Sequence, residues 1–472
     1  MCKMESHAYK DHTREFIAEP IPRLIWRHTA PAVASMLVMA LYQIADGAMV
    51  GRRLGPDALA AVNILYPVLA LFVGLAVMLG VGGSARIAIL LGSGNAKLAR
   101  KVLSLLVLLG SLLGLTGTAI VLAWSGPLTS LLGADAEVQG LSLSYLLVLA
   151  PFFTAFILSF ILEQAVRNDG RSTLAGAVMA SGAVLNIALD YLFLYILDLG
   201  IAGAALASGI SMSVCAVVFV GYFTLKTIAL KPGLRLSRPI LNLRVLRAIA
   251  VNGSSELFSS LAVGVVTLLF NRTLMHHAGS LGVAAFAMVQ YLLMLGSVFF
   301  GGMATGAQPI ISHNYGAGRT DRVSETLVRV MGTAGGIGIV LAAASWAAAD
   351  RAATLFVPHH PEAISMTAMA MRIVAWSLLF APVGTIASMY FTSIERAAAS
   401  LGIAALRALL FPLAALAVLP GMWGETGIWL VPAVSEFSAA LAGGFMLARW
   451  TVIQRRTGCA VCCPENASGI SG

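Results

Sequence analysis

Charge is what this sequence has least of. Of its 472 residues only 11% are Asp, Glu, Lys or Arg, while 59% are hydrophobic, and the mean hydropathy is +0.89. Soluble domains carry about 25% charged residues, so a soluble globular fold is excluded. No polybasic block with interleaved aromatics is present, so the net charge of +9 does not point to nucleic acid. The first residues, MCKMESHAYKDHTREF, are polar and mixed in charge and do not read as a cleavable signal peptide. Cysteine is scarce: Cys215 lies in an apolar run, and Cys459, Cys462 and Cys463 stand in a tail, GCAVCCP, with no nearby partners for a four-ligand zinc site. That tail is expected to be reduced and unstructured, and no cofactor is expected. Histidine is missing from mid-membrane positions, since His276, His277, His359 and His360 fall at one end of their runs. An intramembrane enzyme, which needs a nucleophile–base or metal constellation at one depth, is therefore not expected.

What the chain does contain is apolar runs of about 20 residues, the length a helix needs to cross the hydrocarbon core. Twelve spans are expected: 28–51, 59–91, 100–124, 136–163, 173–196 and 201–225, then 248–274, 280–312, 323–349, 362–393, 398–420 and 427–449. Lys and Arg set their orientation. One set of loops and ends carries 22 of them, including Lys97, Arg100, Lys101, Arg167 and Arg171, against Arg52, Arg53, Arg272 and Arg351 on the other. Both termini are thus expected in the cytoplasm.

The chain also repeats. A shift of 224 residues lays LGPDALAAV (54–62) on AGSLGVAAF (278–286), Gly94 on Gly318 and Gly200 on Gly424. Six spans per half is an even number, so the halves run the same way through the bilayer as a parallel repeat. The expected organisation is an N-terminal cytoplasmic segment (1–27), an N-lobe (28–225), a basic cytoplasmic linker (226–247), a C-lobe (248–449) and a cytoplasmic tail (450–472). The fold class is an all-α integral membrane protein: twelve transmembrane helices in two six-helix lobes around a central cavity.

Charges inside apolar spans are costly, about 2.5–3.5 kcal/mol each on insertion scales, and mark function by default. NIALDYLFLY (186–195) sets Asn186 one helical turn before Asp190, and LYQIADGAMVG sets Tyr42 one turn before Asp46. Counted from the span starts, both acids lie about 17–18 residues in, roughly 26 Å at 1.5 Å per residue. Two acids at one depth of one lobe can share a site, to which Ser208 of the sixth span can add a hydroxyl. Such a pair cannot easily carry two charges, so it can hold a shared proton or coordinate sodium through its oxygens. No other metal is expected. The shift of 224 puts Phe270 where Asp46 was, so the second lobe has no copy. Its own acids are Glu256, a candidate second proton or substrate-cation group with no evident cationic neighbour, and Glu436, expected to pair with Arg372 or Arg407. Glu163 and Glu395 are expected at interfacial helix ends. Pro31, on the same span as Asp46, can bend that helix.

The segments DGAMVGRRLGPDALAAVNILYP, RNDGRSTLAGAVMASGAVLNIALDYLFLY, GIAGAALASGIS and GAQPIISHNYGAG together resemble the multidrug and toxic compound extrusion (MATE) family, nearer its DinF-like branch. The resemblance runs from about Pro31 to Arg449. It implies two six-helix lobes around a cavity that opens alternately to either side, with proton or sodium influx driving export of amphipathic, often cationic, compounds. The family's first-helix acid falls on Asp46, its helix-bending proline on Pro31, and its fifth-helix Asn and Asp on Asn186 and Asp190. A sixth-helix Thr of the cation site falls on Ser208, which still offers an oxygen. The seventh-helix Glu of the NorM-like branch falls on Glu256, but that branch's tenth-helix Asp has no match in MAMRIVAWSLLF, which argues against a C-lobe cation site of that type. The expected protein is a monomeric antiporter of the cell membrane whose partners are small amphipathic substrates and the lipid bilayer. The alternative is a flippase for lipid-linked oligosaccharides or a related lipid, which would call on Arg372 and Arg407 to meet pyrophosphate.

Overall fold

In a computed structural model of the chain, residues 15–132, 136–230, 233–356 and 361–457 are described. The cysteine-containing tail, His359 and His360 lie outside them. The described residues form helices almost throughout, because a backbone in lipid must satisfy its own N–H and C=O groups.

The first half holds α1 (Ile21–Leu54), α2 (Tyr66–Gly92), α3 (Ala96–Leu131), α4 (Val138–Asn168), α5 (Ser172–Ile196) and α6 (Ile201–Ile228), with a short helix, Pro56–Ile64, before α2. The second half holds α7 (Leu243–Gly279), α8 (Leu281–Gly316) and α9 (Thr320–Phe356). It continues with α10, made of Pro361–Ala375 and Ser377–Ser393 bent by 44°, and the run Ala397–Val452. That run is broken at Trp423 and Gly424, giving α11 (397–422) and α12 (425–452). With the bent pair counted as one span and the last run divided at its break, the described residues hold twelve spans, the number expected from the apolar runs.

The repeat is written into the backbone. Gly55 and Gly279, Gly94 and Gly318, and Gly200 and Gly424 all have positive φ, and each pair is 224 residues apart. These are turns between spans, where a left-handed residue reverses the chain and only glycine adopts it without steric cost. The corresponding turn between α4 and α5 uses Gly170 (φ 78°), whereas the α10–α11 turn uses Glu395 (φ 55°). The connector between the halves is shorter than the basic stretch suggested, because α6 continues to Ile228 and α7 starts at Leu243. It is anchored on Asp169, which accepts from Leu234 N at 3.0 Å and Tyr222 Oη at 2.5 Å and pairs with Lys226.

The halves interlock at the face that carries residues 15 and 457. A Cβ on Gly253 of α7 would lie 2.0 Å from Met78 O of α2, and one on Gly82 2.4 Å from Ile249 O. Gly92 and Gly316 make the same approach between α2 and α8, at 2.1 Å from His313 O and 2.2 Å from Ile89 O. Small residues let backbones approach this closely where no solvent drives the helices together. Phe16 is buried at the same face, with its ring 4.8 Å from that of His28 and stacked 4.3 Å from that of His313. Its carbonyl accepts from Asn314 Nδ2 at 3.0 Å and Arg322 Nη2 at 3.1 Å.

Two charge assignments change here. Arg167, expected in a loop, is fully buried and donates to Glu163 at 2.5 Å, one turn away on the same face of α4. Glu163 is therefore buried rather than interfacial. Glu395 meets Arg86 of α2 at 2.7 Å, joining the two halves. In both cases a basic residue near a helix end turns inward because tight packing at this face leaves an acid, not water, within reach.

Candidate functional site

Within the first half, α1, α4, α5 and α6 converge about 9–12 Å from the face opposite the termini, counting 1.5 Å per residue from the helix ends. Asp190 and Asn186 of α5 are 0% and 1% exposed. The Asn186 amide fits its neighbours in one orientation: its nitrogen donates to Asp190 Oδ2 at 3.0 Å, and its oxygen accepts from Ser208 N at 3.1 Å and Oγ at 3.2 Å. The reverse orientation would set the amide oxygen against the carboxylate, acceptor to acceptor. Asp46 of α1 lies within hydrogen-bonding reach of Asp190, carboxyl to carboxyl. Oδ1 of each acid is buried with no protein donor. Just past Asp190, α5 opens into a wider π-type turn over Leu192–Ile196, a distortion often found at functional sites.

Tyr42 and Tyr145 complete the polar wall of a cavity of about 200 Å³, whose apolar wall includes Phe72, Phe153 and Phe156. Asp46, Asn186, Asp190, Ser208 and Tyr42 thus come together. Tyr145, which lines the same cavity as Ser208 and Asp46, was not anticipated. Its signal was a hydroxyl on α4 about 11 Å from the same face, the depth of both acids. Pro31 lies lower on α1, which runs through it as one continuous helix and packs against Gly176 of α5.

The second half encloses a larger chamber of about 560 Å³. Glu256 of α7, Arg407 of α11 and Glu436 of α12 line it near mid-depth, with Phe270 and Phe286 on the apolar side. Arg407 Nε donates to both Glu436 oxygens, at 3.0 and 2.9 Å. Of the two expected partners, Arg372 is the one that fails. It meets Asp350 at 2.5 Å and stacks over Trp346, outside either cavity. Glu256 does have a cationic neighbour, because it interacts electrostatically with Arg407. Sequence position gave depth but not helix rotation, which is why this shared place in the chamber wall was missed. Among the described residues no cluster of three or more His, Cys, Asp or Glu is arranged to hold a metal.

Two six-helix halves in parallel repeat, interlocked at one face and each enclosing a cavity with buried charge, define a polytopic membrane protein of the two-lobe type. The MatE family model matches residues 31–192 and 257–416, one segment in each lobe, and the chain belongs to this family. The multidrug export protein MepA of Staphylococcus aureus (strain MSSA476) is 26% identical over 431 residues, covering 90% of this chain and 93% of that protein. A crystal structure of MATE in complex with MaL6 superimposes with a TM-score of 0.88 at 26% identity, covering 95% of this chain and 99% of that one. An outward-facing multidrug resistance MATE transporter of the MOP superfamily also gives 0.88, at 25% identity over 94% and 98%.

Proposed function

We propose that the protein is a multidrug exporter of the cell membrane, a proton- or sodium-coupled antiporter that moves amphipathic, often cationic, compounds outward by alternating access. It works as a monomer with both termini in the cytoplasm. The observation that carries this reading is the contact between Asp46 and Asp190. Two carboxyls meeting acceptor to acceptor, each with a buried oxygen lacking a donor, repel one another unless a proton or cation lies between them. An ion taken up there offsets one of the two charges and removes the repulsion; its loss restores that repulsion across α1 and α5, which gives the N-lobe two states. The halves interlocked at the terminal face suit a state closed to the cytoplasm. Pro31, which leaves one carbonyl of α1 without its helical partner, is the place where α1 bends between states.

A membrane potential of 100 mV contributes about 2.3 kcal/mol per inward charge, and about 1.4 kcal/mol corresponds to a tenfold gradient. For a cargo without net charge, one coupling ion then supports a gradient of roughly fortyfold before its own gradient is added; a singly cationic cargo exchanged one for one cancels that contribution. The test is uptake of a fluorescent cationic dye into inverted vesicles, with proton and sodium gradients imposed separately. Uptake should follow one of the two gradients and vanish in Asp46→Asn at equal expression. Uptake unchanged in that variant, or driven by ATP alone, would overturn the reading.

A further inference from the structure

Arg53 stands at the face opposite the termini, where Lys and Arg are few. It lies seven residues after Asp46, two turns along the same face of α1 and about 10 Å nearer its outer end. Leu194 lies four residues after Asp190 on α5, inside the π-type turn. The bonds that close this end of α5 run from Leu197 N to Leu192 O and from Leu199 N to Phe193 O, both at 2.9 Å. They pass over Leu194, which is fully buried, and its carbonyl accepts instead from Arg53 Nε at 3.2 Å. Asp198 follows with φ 50°, a left-handed conformation in which Asp is enriched, and accepts from Arg53 Nη2 at 3.1 Å. The guanidinium also lies 6.0 Å from the centre of the Tyr195 ring. One side chain of α1 thus ties down the end of α5 just beyond the acid pair.

The repeat supplies an internal control. The shift of 224 that puts Phe270 and Ala414 at the positions of Asp46 and Asp190 puts His277, Val418 and Met422 at those of Arg53, Leu194 and Asp198. These last three are exposed, so the lobe without the acids is also without the tie. The ion pair is itself 41% and 69% exposed, and such pairs contribute little, so the bond to the buried carbonyl is what holds. We propose that Arg53 is a positioning residue of the coupling site: it ties α1 to α5 and holds Asp46 against Asp190 in the ion-bound state. The inference rests on the reading of that pair as the coupling site. Repulsion between two ionised acids drives the helices apart and strains the tie; an ion between them lets it form. Each then favours the other by the same free energy, as linkage requires. Through its charge alone Arg53 would do the reverse, because a nearby cation favours the ionised acids and weakens uptake of a proton or sodium. Position and charge therefore predict opposite signs.

The experiment uses the full-length protein in proteoliposomes and a fluorescent cationic dye. Uptake is followed as pH is varied without sodium, and as sodium is varied at fixed pH, to give the half-saturating concentration of the ion that drives it. Arg53→Met removes both the charge and the donors. It should weaken the apparent ion affinity by about threefold to tenfold, the size of a lost hydrogen bond. Arg53→Gln removes the charge but carries an N–H at the place of Nε, so it should recover most of that loss. Unchanged or tighter affinity in Arg53→Met, or equal losses in the two variants, overturns the proposal. Should Arg53→Met fail to fold, the wild type keeps the test: the driving ion should slow amide hydrogen exchange over residues 192–199, and no slowing overturns it. Asp46→Asn separates the two readings, since it should stop ion-driven uptake. If it does while Arg53→Met matches the wild type, only the role of Arg53 is rejected; wild-type uptake in Asp46→Asn rejects the coupling site itself.

Discussion

Arg86 of α2 and Glu395 of the α10–α11 turn meet at 2.7 Å across the boundary between the lobes, with side chains only 10% and 21% exposed. Glu395 holds a backbone conformation that a glycine takes in the matching turn of the other half. A left-handed non-glycine residue costs about 1–2 kcal/mol. The carboxylate is worth that cost only where it does something a glycine cannot, and here it closes an ion pair between lobes.

Removing one member of a buried pair costs about 3–5 kcal/mol, because the other charge is left behind, whereas removing both is far milder. Arg86→Gln and Glu395→Gln should each lower the unfolding temperature in detergent more than the double variant does. Additive losses would show that the pair is not coupled. Since the pair joins the lobes at the terminal face, each single variant should also make that face more accessible to a membrane-impermeant label.

Gly253 and Gly82 leave no room for a Cβ while α2 and α7 are in contact, and the atoms they would strike are backbone. Backbone cannot move aside as a side chain can, so Gly253→Ala should prise the interlocked face apart while the helices stay inserted. The expected result is normal expression, transport reduced by tenfold or more, and faster protease cleavage near residues 229–242. Wild-type transport in Gly253→Ala would mean that this contact does not form during the cycle.

Asn186 donates to Asp190 and is itself held by Ser208. Its replacement by leucine removes a side-chain donor from Asp190 and leaves a buried oxygen unsatisfied, at about 1–3 kcal/mol. The apparent affinity for the coupling ion should change by about fivefold to 150-fold, read from the ion dependence of dye uptake. A smaller change is expected for Tyr145→Phe, which removes a hydroxyl from the wall of the same cavity without removing a donor to Asp190.

Phe16 is 1% exposed between two histidine rings, one from each lobe. Phe→Ala at a fully buried position costs about 3–5 kcal/mol. Phe16→Ala should therefore lower the unfolding temperature and loosen the start of α1 from α8, seen as faster hydrogen exchange over residues 15–27. Unchanged exchange there would place the anchoring entirely in the Arg322 and Asn314 contacts to the Phe16 and Glu19 carbonyls.

Much of this architecture is legible in the chain alone. Low charge and recurring apolar runs require a membrane helix bundle, since no other structure satisfies a backbone in lipid. The spacing of 224 residues marks the repeat, because turns between spans call for glycine at the same points in each half. Depth is legible too: a helix rises uniformly, so Asp46, Asp190 and Ser208 could be set at one level by counting.

Rotation is not legible. Helices that are apolar on nearly every side present no polar stripe from which to read which face turns inward. Only packing decided that Arg407, not Arg372, faces Glu436, that Tyr145 enters the acid site, and that Arg167 points into the protein rather than out of a loop. The sequence determined which charges lie at which depth. The tertiary structure decided which of them meet, because that depends on how far each neighbouring helix is turned and how closely its glycines let it approach.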